Sequence, residues 1–241
     1  MSRAPDGRRL GRALALAACA LACQSEPAEG PIHWETGRRA AVTPDGLHRI
    51  VSYRVGSAWL RPGASFAGYR KVLIAPVSVA YATPPRPGGG RGNFPLRPDE
   101  MDRMRRTFQE VLEAEFAEDS PFELATEPGP DVLLVTARIV DLVVNTPPGG
   151  ERGDVLVGVT GSMTGILDAA DSETGMPLAR IADRRVLQPG GPGARLRLAG
   201  PSEWVAIRLS FRRWARLLRE GLEELVTAGP LPHPEGRAPQ E

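Results

Sequence analysis

The chain has 241 residues, which suits one domain of ordinary size with short appendages, and its 41% hydrophobic content is that of a globular protein. Four arginines and one aspartate precede Cys23, so the net charge of +1 for the whole chain leaves −2 for the remainder. A domain this close to neutrality has no general attraction for nucleic acid, and the sequence contains no nucleic-acid-binding motif.

The first 22 residues have the three parts of a secretory signal peptide. Residues 1–12 are polar and basic, residues 13–22 (ALALAACALA) are entirely apolar, and the chain turns polar again after Cys23. The apolar run is too short to cross a bilayer, which takes about 20 residues, and small residues at its end are typical of a cleavage site. We therefore predict that residues 1–22 direct export and are then removed.

Both cysteines of the chain, Cys19 and Cys23, lie at the end of this apolar run. The segment resembles a bacterial lipoprotein signal, in which a cysteine is acylated because its thiolate is a good nucleophile. Cys23 is the favoured lipidation site because it leaves a full-length apolar run, and Cys19, three residues after Leu16, is the alternative. By the same resemblance, Gln24 or Ala20 after the modified cysteine, in place of aspartate, implies the outer membrane. Such a lipid anchor would be stable.

Residues 23–57 are predicted to form a tether and an N-terminal arm before a single domain at 58–227. Within the arm, residues 49–55 (RIVSYRV) are interpreted as a short strand or an extended segment. Residues 69–80 form a near-continuous apolar run, which predicts a strand covered on both faces. Pro76 lies inside this run and cannot donate to a ladder, so the strand is expected either at a sheet edge or with a bulge.

Two helices and four further strands are predicted downstream. Apolar residues recur every three or four positions over residues 98–118, behind acids in the first turn, and again over 202–226, behind a serine N-cap. Between the helices, segments rich in β-branched residues predict strands at 122–126, 131–145, 155–170 and 177–187. The third of these strands contains glycines that predict a bend or a close backbone approach, namely Gly158, Gly161 and Gly165.

The predicted order is strand, helix, four strands, helix. Two amphipathic helices need a sheet face to cover, which predicts an α/β fold: a two-layer sandwich of a mixed sheet of about five strands with two helices. Residues 228–241 contain several prolines and no apolar rhythm, and they are predicted to be a disordered tail.

Several stretches resemble the domain-of-unknown-function family 3313, a family of bacterial lipoproteins without an assigned activity. They are residues 60–63 and 69–77, residues 167–175 and 183–185, and the helix with Trp204, Phe211, Trp214 and Ala215. Together they cover about residues 58–226. The resemblance implies the fold and an envelope location, and it implies no chemistry.

Few residues are candidates for catalysis or metal binding. The three histidines, His33, His48 and His233, lie in the predicted tether and tail, where no rigid pocket would position a catalytic base. Because both cysteines precede the domain, a zinc or redox site lacks ligands, and no metal or cofactor is expected. The sequence also lacks the phosphate-binding, dinucleotide-binding and nucleophile-elbow motifs.

One group of carboxylates remains as candidate chemistry. Asp168, Asp171 and Glu173 lie close together in the sequence, and Asp183 comes near them across the predicted hairpin. Such a group could serve acid-pair catalysis or bind Ca²⁺. The favoured interpretation is structural: Asp171 and Gly175 build the turn, because aspartate caps turns and glycine accepts positive φ.

The leading hypothesis is a non-catalytic binding or accessory module, lipid-anchored at the outer membrane and facing the periplasm. Its partners are the membrane, through the covalent lipid, and a candidate envelope protein; the sequence does not fix the oligomeric state. The alternatives are an envelope hydrolase with Asp/Glu chemistry and a periplasmic carrier of small molecules or lipids. The second helix also carries a row of arginines: Arg208, Arg212, Arg213, Arg216 and Arg219. These side chains could contact lipid phosphates or an acidic partner, although the favoured interpretation is a solvated helix face.

Overall fold

The structure is a computed structural model that describes residues 32–82, 95–118, 120–144, 161–187 and 201–234, with the backbone alone for 201–203. Its helices are α1 (Pro98–Glu118) and α2 (Pro201–Thr227), preceded by a 3-10 turn at Gly37–Arg39. Its strands are β1 (His48–Ile50), β2 (Ser57–Leu60), β3 (Lys71–Ile74), β4 (Ser78–Tyr81), β5 (Glu123–Leu124), β6 (Val132–Val144), β7 (Gly161–Asp171) and β8 (Pro177–Leu187). Over the described ranges, no helix combines the length and the apolarity that a bilayer crossing requires.

The described strands form one mixed sheet in the order β1-β2-β8-β7-β6-β3-β5, with β4 also paired to β6. The neighbours from β1 to β6 are antiparallel, whereas β3 and β4 run parallel to β6 and β5 runs parallel to β3. The parallel pairs are those that the chain connects through α1, as a parallel crossover requires.

The predicted α/β class, with two helices and a mixed sheet, is confirmed, but the strand count is wrong: the described sheet has eight strands, not about five. Two of the additional strands are β1, which overlaps the residues 49–55 interpreted as a short strand or an extended segment, and β2, where no strand was predicted. They are short, and β2 is held by pairing with β8, where Trp59 lies opposite Arg180. Sequence patterns report local periodicity, so they do not show a strand whose stability comes from such a distant partner.

The third additional strand arises because Pro76 divides the predicted strand at 69–80 into β3 and β4. Between Ile74 and Ser78 this side of the ladder has one residue more than β6 has between Val135 and Arg138, and a second register shift between Val79 and Tyr81 takes the excess back. Proline has no N–H to give, and the N–H of Val77 leaves the ladder to donate to the Gln109 side chain of α1 at 3.2 Å. Of the two expectations for Pro76, the structure therefore has the bulge.

Packed structure extends on both sides of the segment predicted as the domain. Leu47, in the predicted arm, is fully buried. Leu231, in the predicted tail, is also buried, and its backbone N–H donates to Ala64 while its carbonyl accepts from Gly63. The tail as far as residue 234 is thus ordered against the domain, contrary to the expectation of disorder, because its one leucine finds a buried position. Residues 235–241 lie outside the described residues.

Both helices cover the same face of the sheet, and the core lies between the two layers. Trp214 of α2 is fully buried at its centre, with its ring centroid 5.9 Å from that of Phe108 and 6.0 Å from that of Phe211. Phe108 and Phe211 stack on each other at 4.4 Å, which joins α1 to α2. Each of these aromatic side chains contributes a few kcal/mol by burial, on the order of 25 cal/mol per Å².

Two of the three glycines predicted to allow a close approach do so. A Cβ at Gly165 would lie 2.6 Å from Cε3 of Trp214, and a Cβ at Gly161 would lie 2.4 Å from the carbonyl oxygen of Val143. Gly158 lies outside the described residues. The glycine at 165 therefore makes room for the indole against the β7 backbone.

We expect Gly165→Ala to lower the free energy of unfolding by about 1–3 kcal/mol, because the new methyl overpacks a fully buried ring. Gly221→Ala in α2 is the matched control: a Cβ there meets nothing within 4 Å, and alanine should stabilise the helix by about 0.5–1 kcal/mol. Urea unfolding of both variants measures the difference. Equal stability of Gly165→Ala and the parent chain would contradict the proposed fit.

Candidate functional site

Asp168 is held by two arginines on the sheet face opposite the helices. It lies directly across from Arg180 of β8. The Arg180 Nε donates to one carboxylate oxygen, and the Arg138 Nη2 of β6 donates to the other at 2.6 Å. The Asp168 side chain is only 14% exposed, so these contacts occupy most of its surface. The carboxylate is therefore neutralised by a charge-assisted pair on each oxygen.

The ion pairs of Asp168 continue into the N-terminal segment. The Nη2 of Arg180 also donates to Asp45 at 2.7 Å, which makes a chain of four alternating charges. A hydrogen bond with the Thr43 side chain, and after it the Arg180 guanidinium, hold the pKa of Asp45 below its ordinary value. Arg61 fixes the same turn by donating to the Asp45 carbonyl oxygen at 2.6 Å. This network of Arg138, Asp168, Arg180 and Asp45 was not predicted from the sequence.

Asp171 builds the β7–β8 turn, as the favoured interpretation expected. One carboxylate oxygen accepts from the backbone N–H of Thr174 at 2.8 Å and from its hydroxyl at 2.6 Å, and the other accepts from the Tyr69 hydroxyl at 2.9 Å. These bonds, those from Thr174 foremost, lower the pKa of Asp171. Gly175 completes the turn with φ of 69°. Glu173 is exposed in the same turn.

Asp183 lies on the helix face of the sheet, opposite to the face that carries Asp168. Its carboxylate accepts from the Trp214 indole N–H at 3.0 Å, pairs with Arg185 at 2.8 Å, and accepts from the Gly56 backbone N–H at 3.2 Å. The side chain is 12% exposed. The hairpin register places Asp168 of β7 opposite Arg180, which is three residues from Asp183 on β8. Because successive side chains of a strand lie on alternate faces, Arg180 and Asp183 are on different faces of the sheet. The sheet backbone therefore separates these two carboxylates.

The carboxylate group suggested by the sequence thus does not form one site. Over the residues that the structure describes, no set of three His, Cys, Asp or Glu side chains is arranged to hold a metal ion. Of the histidines, His48 packs edge-on against Trp34, and His233 lies beside Gly63. The predicted lipidation residue Cys23 and its alternative Cys19 lie outside the described residues.

An open groove runs between α1 and α2. It has a volume of about 540 Å³. Most of its lining residues are charged, with arginines on α2 and glutamates on α1, and several of the arginines noted in the sequence are among them. The lining residues are Glu110, Val111, Ala114, Glu115, Glu118, Arg208, Leu209, Arg212, Arg213 and Arg216. Such a lining suits polar or charged partners better than the apolar ligand of a lipid carrier.

The sequence matches the family model of a protein of unknown function (DUF3313) over residues 47–218. The chain belongs to this family. The resemblance drawn from the strand, hairpin and helix motifs over residues 58–226 is thereby confirmed, and the match begins earlier, at the buried Leu47. No curated protein matches the chain.

The structure is similar to those of several solved proteins at low sequence identity. The PelC dodecamer from Paraburkholderia phytofirmans is 13% identical, with 67% of this chain and 96% of that chain covered and a TM-score of 0.35. Protein XCC0632 from Xanthomonas campestris is 12% identical, with 68% and 87% covered and a TM-score of 0.38. The minor lipoprotein from Acinetobacter baumannii is 11% identical, with 68% and 96% covered and a TM-score of 0.30.

The Tyr69–Asp171 contact gives a pH-dependent stability. Burial, and then the hydrogen bond to Asp171, raise the pKa of Tyr69 from 10.0 to about 12. Because the folded-state pKa lies above the unfolded one, the stabilisation is present below pH 10 and is lost as the pH rises through about 12.

We expect the tyrosinate absorbance of the parent chain to show an ionisation step near pH 12 that Tyr69→Phe lacks. The unfolding free energy of Tyr69→Phe should also fall less steeply over that interval. Tyr53→Phe is the control, since Tyr53 is 96% exposed and its loss should leave the step in place. A step near pH 12 that survives in Tyr69→Phe would show that another group titrates there.

Proposed function

We propose that this protein is a lipid-anchored envelope protein whose domain is a non-catalytic binding or accessory module. The anchor follows from the N-terminal residues: a basic start, an apolar run and a cysteine at its end. We assign lipidation to Cys23, with Cys19 as the alternative, and we assign the domain to the periplasmic side of the outer membrane. The domain itself is taken as residues 58–227, with the packed additions described above.

The observation that carries the non-catalytic part is the use of the three aspartates. Asp168 is neutralised by two guanidinium groups, Asp171 caps a turn, and Asp183 binds an indole and an arginine. Glycoside hydrolysis by an acid pair needs two carboxyl groups that flank one substrate bond, about 5–10 Å apart, one of them with a raised pKa. Here the pKa of Asp171 is lowered, and Asp168 and Asp183 lie on different faces. These contacts support a structural role for the acids.

The anchor is tested by growing cells with labelled palmitate. The parent chain is expected to carry the label, to start at Cys23 after cleavage, and to fractionate with the outer membrane. Cys23→Ser should abolish the label because no thiolate remains at the cleavage point, whereas the matched variant Cys19→Ser should keep it. The reverse pattern would move the anchor to Cys19. A parent chain that stays unlabelled and uncut would overturn the anchor.

The non-catalytic assignment is tested with isolated peptidoglycan and the purified chain. We expect no release of soluble fragments from the parent chain, and none from Asp168→Asn or Asp171→Asn. Asp168→Asn should nevertheless lower the unfolding free energy by about 1–3 kcal/mol, because it leaves two arginines without their carboxylate. Asp99→Asn, at a side chain that is 71% exposed, should cost less than about 0.5 kcal/mol.

Fragment release that the parent chain performs and both folded variants lack would establish a hydrolase instead. The binding role is tested by affinity purification of the anchored protein from its native envelope. A partner recovered reproducibly, and recovered in smaller amount with the destabilised variant Gly165→Ala, would support the module.

A further inference from the structure

The groove between α1 and α2 has edges of opposite charge. Arg208, Arg212 and Arg216 lie one turn apart along α2, and all three are exposed. Glu110 and Glu118 lie on α1, on the other side. We call this surface the helix groove. Its apolar residues include Leu209, which is 57% exposed and follows the equally exposed Val205 by one turn.

The molecule does not use these charges internally. Within the described ranges, none of Arg208, Arg212, Arg216, Glu110 or Glu118 forms an ion pair. The neighbouring charges behave differently: Arg219 binds Glu115 and Glu223, and Arg54 binds Glu220 and Glu224. The edges of the groove therefore present arginine and glutamate side chains that are free to pair with another molecule.

The balance of charge indicates the kind of partner. The groove is lined by four arginines and three glutamates, of which Glu115 is paired with Arg219, so the unpaired side chains sum to +2 with both signs present. An anionic membrane or a nucleic acid is attracted by a surface of one sign, and the glutamate edge would repel either. The groove has arginines on one side and glutamates on the other, so it suits a partner that presents acidic groups to the arginines and basic groups to the glutamates.

A second copy of the chain presents that reverse separation. The two helices run parallel, since Arg103 lies over the Trp204 ring near their starts and Glu115 pairs with Arg219 further along. A two-fold axis parallel to the helices would place α1 of one copy opposite α2 of the other, and each interface residue then appears twice. We propose that the helix groove is a self-association surface, with Glu110 of each copy against the arginine row of the other.

The height of Glu110 along the helices agrees with this arrangement. Phe108 stacks on Phe211, so Glu110 lies at the level of Arg212 and Arg213. Rotation about an axis parallel to the helices keeps each residue at its own height. Glu110 of one copy therefore meets the Arg212 row of the other, and the exposed Leu209 side chains come together beside them.

The size of the surface predicts weak, reversible association. A helix of about 20 residues is about 30 Å long, and two helices side by side are about 20 Å wide, so the footprint is roughly 600 Å² per copy. A standard stable interface buries about 800 Å² per partner. This inference is independent of the lipid anchor and of the non-catalytic assignment.

The test uses the full chain, purified in a neutral detergent in two differently tagged forms, with self-association measured by analytical ultracentrifugation. Arg212→Glu and Glu110→Arg are each expected to weaken self-association by about tenfold or more, because each creates two like-charge contacts per dimer. An equimolar mixture of the two variants should regain the parent affinity to within about threefold, since both contacts are then attractive. The double variant should regain it alone.

Arg38→Glu is the matched control, because it makes the same charge change at an exposed arginine away from the groove, and it should leave self-association unchanged. Circular dichroism and thermal unfolding of every variant exclude misfolding as the cause of a loss. High salt should weaken association of the parent chain. A parent chain that is monomeric up to about millimolar concentration, or a mixture of variants no tighter than either variant alone, would overturn the proposal.

Discussion

The contact of Trp214 with Gly165 holds the helix layer to the sheet. A fully buried indole needs both space against the strand and an acceptor for its N–H, since an unpaired buried donor costs about 1–3 kcal/mol. Gly165 gives the space, and Asp183 gives the acceptor. Asp183 also accepts from the Gly56 N–H, just before β2, so one carboxylate connects α2, β8 and the edge of the sheet. The motif at 183–185 and the tryptophan helix, which are distant in sequence, are parts of this one contact.

Sequence patterns predict the elements whose signal is local. The apolar rhythm of α1 and α2 and the long apolar strand β6 could be found because each buries one face or both along its own length. β2 could not, and β1 appeared only as one of two interpretations of residues 49–55, because their stability comes from pairing in a ladder that ends on β8. Pro76 could be recognised as an interruption, but the number of strands that it creates depends on the extra residue between Ile74 and Ser78 relative to β6, which is a property of the strand pair.

The candidate acids illustrate the same limit. The hairpin with its turn at Asp171 could be predicted, and proximity of Asp168 to β8 follows from it. The face on which each side chain lies depends on the register, and a shift of one residue reverses it. In the observed register Asp168 meets Arg180, and Asp183 meets Trp214 instead. Counting strand pairs outward from the turn could have predicted that Asp168 lies opposite Arg180. No sequence pattern predicts the ion pair of Asp45 with Arg180, because the two residues are far apart in the sequence.

The ion pairs of Arg138, Asp168, Arg180 and Asp45 favour the observed register of β6, β7 and β8. Ion pairs with exposed partners add little net stability, about 0–1 kcal/mol each, but Asp168 and Arg180 are mostly covered, so a slip that separated them would leave charges without partners. The same network fastens the turn with Asp45 to β8. The described chain is thus packed into the domain well before residue 58.

The proposed lipid anchor and the proposed weak interface would act together. Residues 23–31 are nine residues, which reach about 30 Å at most when fully extended. Copies anchored on the same membrane would be confined to a layer of that order, and such confinement gives effective concentrations far above those in dilute solution. An interface of roughly 600 Å² that dissociates readily in detergent would then be occupied on a membrane. The charge separation across the helix groove would set which faces meet, and the anchor would set how often they do.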